Sequence, residues 1–336
     1  MNPLLFLPLF VSFILTAIFL PKWIKKCNDI GLLWENMNRF NHPKNLAASG
    51  GVIVVMSFVL GVLSYIAIRT FFTEGNGLNL KMFALLSVIL ILAIIGLVDD
   101  LLGWQHGGLS AKVRLFLIFM SSIPLVVINA GTHSIVVPFF GYIELGLIYL
   151  ILIIPIGITG ATATYNFLAG FNGLETGQGI IILSFLSFIA YITNSMWLTL
   201  IGLIMIASLI VFYYYNKFPA KVLPGDILTY SIGALIACMA ILGNFEKIAM
   251  FVFIPFIIEV FLKLRGKLKK YSFGMPQKDG SLEMPYDKIY GMTHLSLFIL
   301  KKFKRKVYEK DVTYLILAFQ IFICLLALII FQRSLF

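Results

Sequence analysis

Ten stretches of 16 to 20 mainly apolar residues recur along this 336-residue chain, at 4–20, 50–68, 80–98, 114–130, 146–163, 178–193, 196–214, 227–243, 247–264 and 312–331. As helices these runs match the thickness of about 30 Å of hydrocarbon. Lipid offers no partner for a bare N–H or C=O, so runs of this kind fold as membrane-spanning helices. Composition agrees, with 60% hydrophobic and 12% charged residues, about half the charge of a soluble domain. The expected fold class is an all-α polytopic membrane protein of about ten transmembrane helices, one domain over residues 1–336. The run at 146–163 is the most interrupted, by Pro155, Gly157 and Gly160.

Lys22, Lys25 and Lys26 follow the first apolar run instead of preceding it, which predicts an uncleaved first helix rather than a removable signal peptide. Cys27, Cys238 and Cys324 are isolated and suggest neither a disulfide framework nor a metal site. Of the 26 Lys and Arg residues, 22 fall in the loops after runs 1, 3, 5, 7 and 9, thirteen of them between Lys263 and Lys310. The positive-inside rule makes those loops cytoplasmic, with both termini outside and a long cytoplasmic loop at 265–311. Basic loops set topology and touch anionic lipid, so the net charge of +11 needs no nucleic acid.

A pure topology signal would not gather acids and amides on the same side. Asp99 and Asp100 end the third run, where two acids are costly unless a cation or a function holds them. Residues 164–179, TYNFLAGFNGLETGQG, place Asn166, Gly170, Asn172 and Glu175 in a Gly-rich stretch without Lys or Arg. Glycines let a backbone approach a ligand, and Asn supplies a neutral oxygen for a hard cation or a two-sided hydrogen-bonding group. An Asn/Gly turn is the plain alternative. Asp226 follows Pro224-Gly225 in YNKFPAKVLPGDILTYSIGA; it suits a helix cap or a magnesium ligand.

Together Asp99-Asp100, NFLAGFNGLETG and NKFPAKVLPGD resemble the polyprenyl-phosphate N-acetylhexosamine-1-phosphate transferases, most closely the archaeal and eukaryotic branch acting on dolichyl phosphate and UDP-N-acetylglucosamine. The resemblance runs from about Asn38 to the last helix. It implies a cytoplasmic active-site groove, with Asn166 and Asp226 as ligands of Mg²⁺ (Mn²⁺ an alternative ion) and Asp99 and Asp100 as the catalytic acidic pair. It also implies substrate contacts by Lys44, Lys112, Gly170, Asn172 and Glu175. Asp99 would serve as general base or positioning group, and Asp100 would support the metal–phosphate network.

Two departures from the family pattern stand out. The spacing from Asp100 to Lys112 is longer than in the eukaryotic enzymes, which leaves Trp104 unassigned as a sugar contact. The arginine-rich HRIPR motif is replaced within KLKKYSFGMPQKDGSLEMPYDKIYGMTHL, which makes Lys269, Lys270, Lys278 and His294 the diphosphate candidates. The GSLEMPYDK segment resembles the family's small strand-forming insertion. Glu259, four residues before Lys263, suits a helical ion pair or a polar groove lining.

The implied reaction makes polyprenyl diphosphate N-acetylglucosamine and UMP, the first membrane step of N-glycan or surface-glycan assembly. It implies the cell membrane of a prokaryote or the endoplasmic reticulum of a eukaryote, and leaves a homodimer open. The alternatives are a bacterial-type undecaprenyl-phosphate hexosamine-1-phosphate transferase and, from another class, a secondary transporter.

Overall fold

A computed structural model describes residues 3–72, 77–137 and 141–335. The helices are α1 (Leu7–Ile30), α2 (Gly51–Phe72), α3 (Leu78–His106), α4 (Ala111–Met120), α5 (Ile123–Val127), α6 (Ile154–Phe167) and α7 (Leu174–Ile192). They continue with α8 (Met196–Asn216), α9 (Gly225–Gly243), α10 (Glu246–Val252), α11 (Ile254–Arg265), α12 (Met292–Lys301) and α13 (Glu309–Leu335). Among the described residues, three antiparallel two-stranded sheets decorate the loops: β1 (Leu33–Glu35) with β2 (Lys44–Ala47), β3 (Ser134–Val137) with β4 (Gly141–Glu144), and β5 (Met275–Pro276) with β6 (Leu282–Glu283). The last of these lies where the strand-forming insertion is expected.

Among the described residues, eight helices are long and apolar enough to cross a membrane, namely α1, α2, α3, α6 with its preceding turn, α7, α8, α9 and α13. The other two expected spans are broken. Run 114–130 divides between α4 and α5, where the Ser121 and Ser122 hydroxyls bond the carbonyls of Ile118 and Phe119 at 2.6 and 2.7 Å. Run 247–264 divides at Phe253 between α10 and α11. Pro124 and Pro255 follow these breaks directly, as a residue that lacks an N–H and clashes with the preceding turn requires. The run that looked most interrupted stays helical. Pro155 directly follows a π-helical turn over Tyr149–Ile153, which carries the helix into α6.

The centre of the bundle is α9, which packs against α2, α3, α6, α7, α8 and α10, while α1 and α13 are the least buried spans. Burial between helices in lipid rests on close packing rather than on water exclusion, so small residues mark the tightest crossings. At Gly96 a side chain would meet the backbone of Asp226 and Ile227 at 2.6–2.7 Å. The bare backbone there brings α3 against the start of α9, one turn from Asp99 and Asp100.

The 265–311 stretch carries the β5–β6 hairpin and the short helix α12, whose Thr293, His294, Ser296 and Leu297 are buried. It reaches the Gly-rich loop, where the Phe273 ring packs against Gly170.

Candidate active site

α3 continues to His106, so Asp99 and Asp100 lie within its last turns and do not end it. Successive helical residues are about 100° apart, and the two carboxylates do different work. Asp100 Oδ1 accepts the Asp226 N–H at 2.8 Å. That bond places a carboxylate at the N-terminus of α9, where free amides and the helix dipole favour negative charge. Asp226 therefore does not cap its own helix; the side chain of Asp100 does. The other oxygen, Asp100 Oδ2, is buried without a hydrogen-bond partner.

Asp99 turns to a second group of residues. Its Oδ1 accepts the Leu109 N–H at 2.7 Å, and its Oδ2 lies 3.0 Å from Arg114 Nη1. The Tyr230 hydroxyl sits between two carboxylates, 3.2 Å from Asp99 Oδ2 and 3.0 Å from Asp226 Oδ2. Arg114 also reaches to 3.9 Å of Asp226 Oδ2. One guanidinium and one phenol thus hold two acids from α3 and α9 together.

A cavity of about 250 Å³ opens beside this cluster. Asp100, Asn166, Gly170, Asn172, Glu175 and Asp226 line it, with residues 34–37 and Phe273 as further walls. Asn166, near the end of α6, has its Oδ1 bonded by the Thr229 hydroxyl at 3.0 Å. Gly170 adopts φ +109, a conformation suited to glycine, and the Phe273 ring packs where its side chain would be.

The 170–172 loop is pinned from several sides. Gly170 N–H donates to Glu175 Oε1 at 2.6 Å, and Asn38 Nδ2 donates to the Gly170 carbonyl at 2.9 Å. Glu309 Oε1 accepts the Asn172 N–H at 2.8 Å and Asn38 Nδ2 at 3.0 Å. The Asn172 amide nitrogen Nδ2 is buried with no partner. A planar group with an acceptor would satisfy it at modest cost, since an unmade buried hydrogen bond is the expensive state.

Six of the residues expected from sequence therefore share one cavity. Others lie elsewhere. Asp99 is not among the lining residues. Lys112 is exposed on α4, and Arg114 takes the position beside the carboxylates. Two residues apart on a helix is about 200° of turn, so only one of them can face α3. Lys44 is exposed on β2 and lies 3.5 Å from Glu35, beside a smaller adjoining cavity. Trp104 lies on α3, and its side chain is outside the described residues.

His294, on α12 within the 265–311 stretch, is fully buried and is not among the lining residues, with Nε2 3.3 Å from the carbonyl of Phe273, which is. Burial holds its imidazole below the ordinary value, against the opposing pull of that carbonyl. Lys269 and Lys278 are exposed, and Lys270 stands over the rings of Tyr286 and Tyr290. Glu259 is buried and structural: it accepts the Met292 N–H at 2.5 Å, capping α12, and faces Lys263 at 3.7 Å. Arg114, Tyr230, Asn38 and Glu309 carry no motif of their own. Only Arg114 had a sequence signal, as the second basic residue of the loop after Asp99-Asp100.

The donor set fits a hard divalent cation. Asn166 and Asp226 present amide and carboxylate oxygens to one cavity, and the orphaned Asp100 Oδ2 is an acceptor without a donor. Among the described residues no three His, Cys, Asp or Glu side chains converge as a cage. Magnesium needs none, because it binds through one or two carboxylates and keeps waters and substrate phosphates as its remaining ligands.

Comparison with known proteins bears on the same residues. The pattern of glycosyl transferase family 4 matches residues 82–244, a stretch containing both acidic motifs and the Gly-rich loop. A protein of Saccharolobus solfataricus, provisionally named UDP-N-acetylglucosamine–dolichyl-phosphate N-acetylglucosaminephosphotransferase, is 33% identical over 90% of this chain and 90% of its own. A protein of Sulfolobus acidocaldarius with the same provisional name is 30% identical over 97% of this chain and 95% of its own. The phospho-N-acetylmuramoyl-pentapeptide-transferase of Streptococcus agalactiae serotype Ia is 28% identical over 74% of this chain and 76% of its own. With near-complete coverage of relatives at this identity, the chain belongs to glycosyl transferase family 4, the polyprenyl-phosphate N-acetylhexosamine-1-phosphate transferases.

Proposed function

We propose that this protein transfers N-acetylglucosamine 1-phosphate from UDP-N-acetylglucosamine to dolichyl or another polyprenyl phosphate, releasing UMP. The observation that carries this reading is the single cavity in which Asp100, Asn166 and Asp226 meet Gly170, Asn172 and Glu175. One end supplies oxygen ligands for a metal–diphosphate, and the other supplies amides for a base. The names borne by the archaeal relatives support the choice of sugar and lipid.

Asn166 and Asp226 would hold Mg²⁺, with Asp100 beside them. The ion would neutralise the donor's diphosphate and the departing UMP, as in other phosphoryl transfers. Arg114 adds fixed positive charge next to the same carboxylates, where approach of one anion to another is the main barrier. The acceptor phosphate loses its second proton at a pKa of about 6, so no strong base is needed. Asp99 already accepts bonds on both oxygens. Its role is to aim Arg114 and Tyr230, not to take a proton. The basic loops around the cavity support a cytoplasmic active site.

The test is purified protein in detergent with radiolabelled UDP-N-acetylglucosamine, Mg²⁺ and dolichyl phosphate. Label passing into the organic phase together with UMP release supports the reading. A panel with undecaprenyl phosphate and other nucleotide hexosamines separates the archaeal substrate pair from the bacterial one. Liposome uptake of nucleotide sugar without lipid product would replace the transferase by a transporter.

A further inference from the structure

The segment from Trp34 to Asn38 runs along the main cavity from one end to the other. At one end, Asn38 holds the Gly170 carbonyl and Glu309. At the other, the tip of the Trp34 indole lies in van der Waals reach of Gly103, 3.6 Å from where a side chain would begin. Gly103 is one helical turn past the Asp99-Asp100 pair on α3. The cavity therefore has a loop end, at Gly170 and Asn172, and a carboxylate end, at Asp100 and Asp226, while Gly103 belongs to its neighbour. Beyond the carboxylate end lies a second cavity of about 220 Å³, which shares Trp34 and Glu35 with the first.

A nucleotide sugar is linear in the order base, ribose, diphosphate, sugar. If the base takes the loop end and the diphosphate the carboxylates, as the function proposed above requires, the sugar continues past Asp100. We propose that the hexosamine of the donor stacks on Trp34 in the cavity formed by Leu33, Trp34, Glu35, Lys44 and Gly103. A pyranose has an apolar C–H face and a rim of hydroxyls. The indole supplies a flat apolar surface, and Trp34 is 37% exposed there. Glu35 and Lys44, 3.5 Å apart, supply an acceptor and a donor for the rim. The hairpin lies in a loop between spans, within reach of a water-soluble donor, whereas the lipid acceptor comes from the bilayer.

The experiment is isothermal titration of the full-length protein in detergent, in magnesium buffer, with UDP-N-acetylglucosamine and with UDP. Trp34→Ala should weaken the nucleotide sugar about tenfold, the size of one aromatic contact, and UDP by less than about twofold. Trp34→Phe should recover most of the loss. Trp34→Leu keeps apolar packing in the hairpin but removes the flat face, and should behave as Trp34→Ala. Glu35→Gln should weaken the sugar nucleotide alone. Equal weakening of both ligands by Trp34→Leu, or of neither, would overturn the subsite. Wild-type protein that binds neither ligand would overturn the transferase reading and this assignment with it.

Discussion

Arg114 Nη1 stands 3.0 Å from Asp99 Oδ2, while Lys112, two residues earlier, is exposed on the far side of the same helix. About half a turn of α4 thus decides which basic residue belongs to the acids. Arg114→Gln should lower kcat/KM about a hundredfold, in the range of losing one preorganised donor to developing charge. Lys112→Gln should stay within about twofold of wild type, as an exposed charge does. Steady-state kinetics of the two purified variants with the labelled donor decides between them.

Glu309 carries the Asn172 amide and Asn38 on one oxygen, from the first residue of the final span. Glu309→Ala leaves the Asn172 N–H unmet and Asn38 with the Gly170 carbonyl alone, so the donor KM should rise about tenfold through a loosened 170–172 loop. Glu309→Gln keeps an oxygen acceptor and should recover most of the loss. An unchanged KM in Glu309→Ala would remove the clasp from the account.

Gly96 is where α3 meets the backbone of α9. Gly96→Ala should destabilise the folded protein by about 1–3 kcal/mol, because the new methyl has only main chain to press against. The expected readout is a lower unfolding temperature in detergent, with activity falling further because Asp100 and Asp226 are pushed apart.

Chelation of divalent ions should abolish transfer, and Mg²⁺ should restore it, with Mn²⁺ a weaker replacement. Asp226→Asn keeps the shape of the side chain and removes one charge. It should raise the Mg²⁺ concentration needed for half-maximal rate about tenfold or more, in line with the weight of one carboxylate in a site that holds one or two. A variant with unaltered metal dependence would take Asp226 out of the ligand set.

His294 gives a pH dependence outside the cavity. Burial depresses its folded-state pKa below the 6.5 of an ordinary imidazole. The unfolded chain therefore binds more protons in the window between the two values, and stability rises with pH there. This contribution is complete above about 6.5 and is lost as pH falls through the depressed folded value. Thermal unfolding of wild type should weaken on acidification from neutrality. His294→Gln should flatten that slope, and an unflattened slope would assign it to other groups.

Long apolar runs, the one-sided distribution of basic residues and three short polar motifs were enough to establish a polytopic helical transferase. They were also enough to select Asp100, Asn166, Gly170, Asn172, Glu175 and Asp226 as neighbours. Hydrophobic length and charge asymmetry are one-dimensional properties, which is why a linear reading captures them. What it missed depends on rotation and distance. The choice of Arg114 over Lys112 is a matter of helical phase. The bond from Asp100 to the Asp226 amide spans 126 residues and needs the bare backbone at Gly96. Glu309 and Asn38 meet the Gly-rich loop from the two ends of the chain. His294 is polar and beside a basic loop, yet packing took it into the interior. In lipid no hydrophobic force sorts one apolar face from another, so close steric fit and buried hydrogen bonds choose which helices touch. Those choices exist only in the folded bundle.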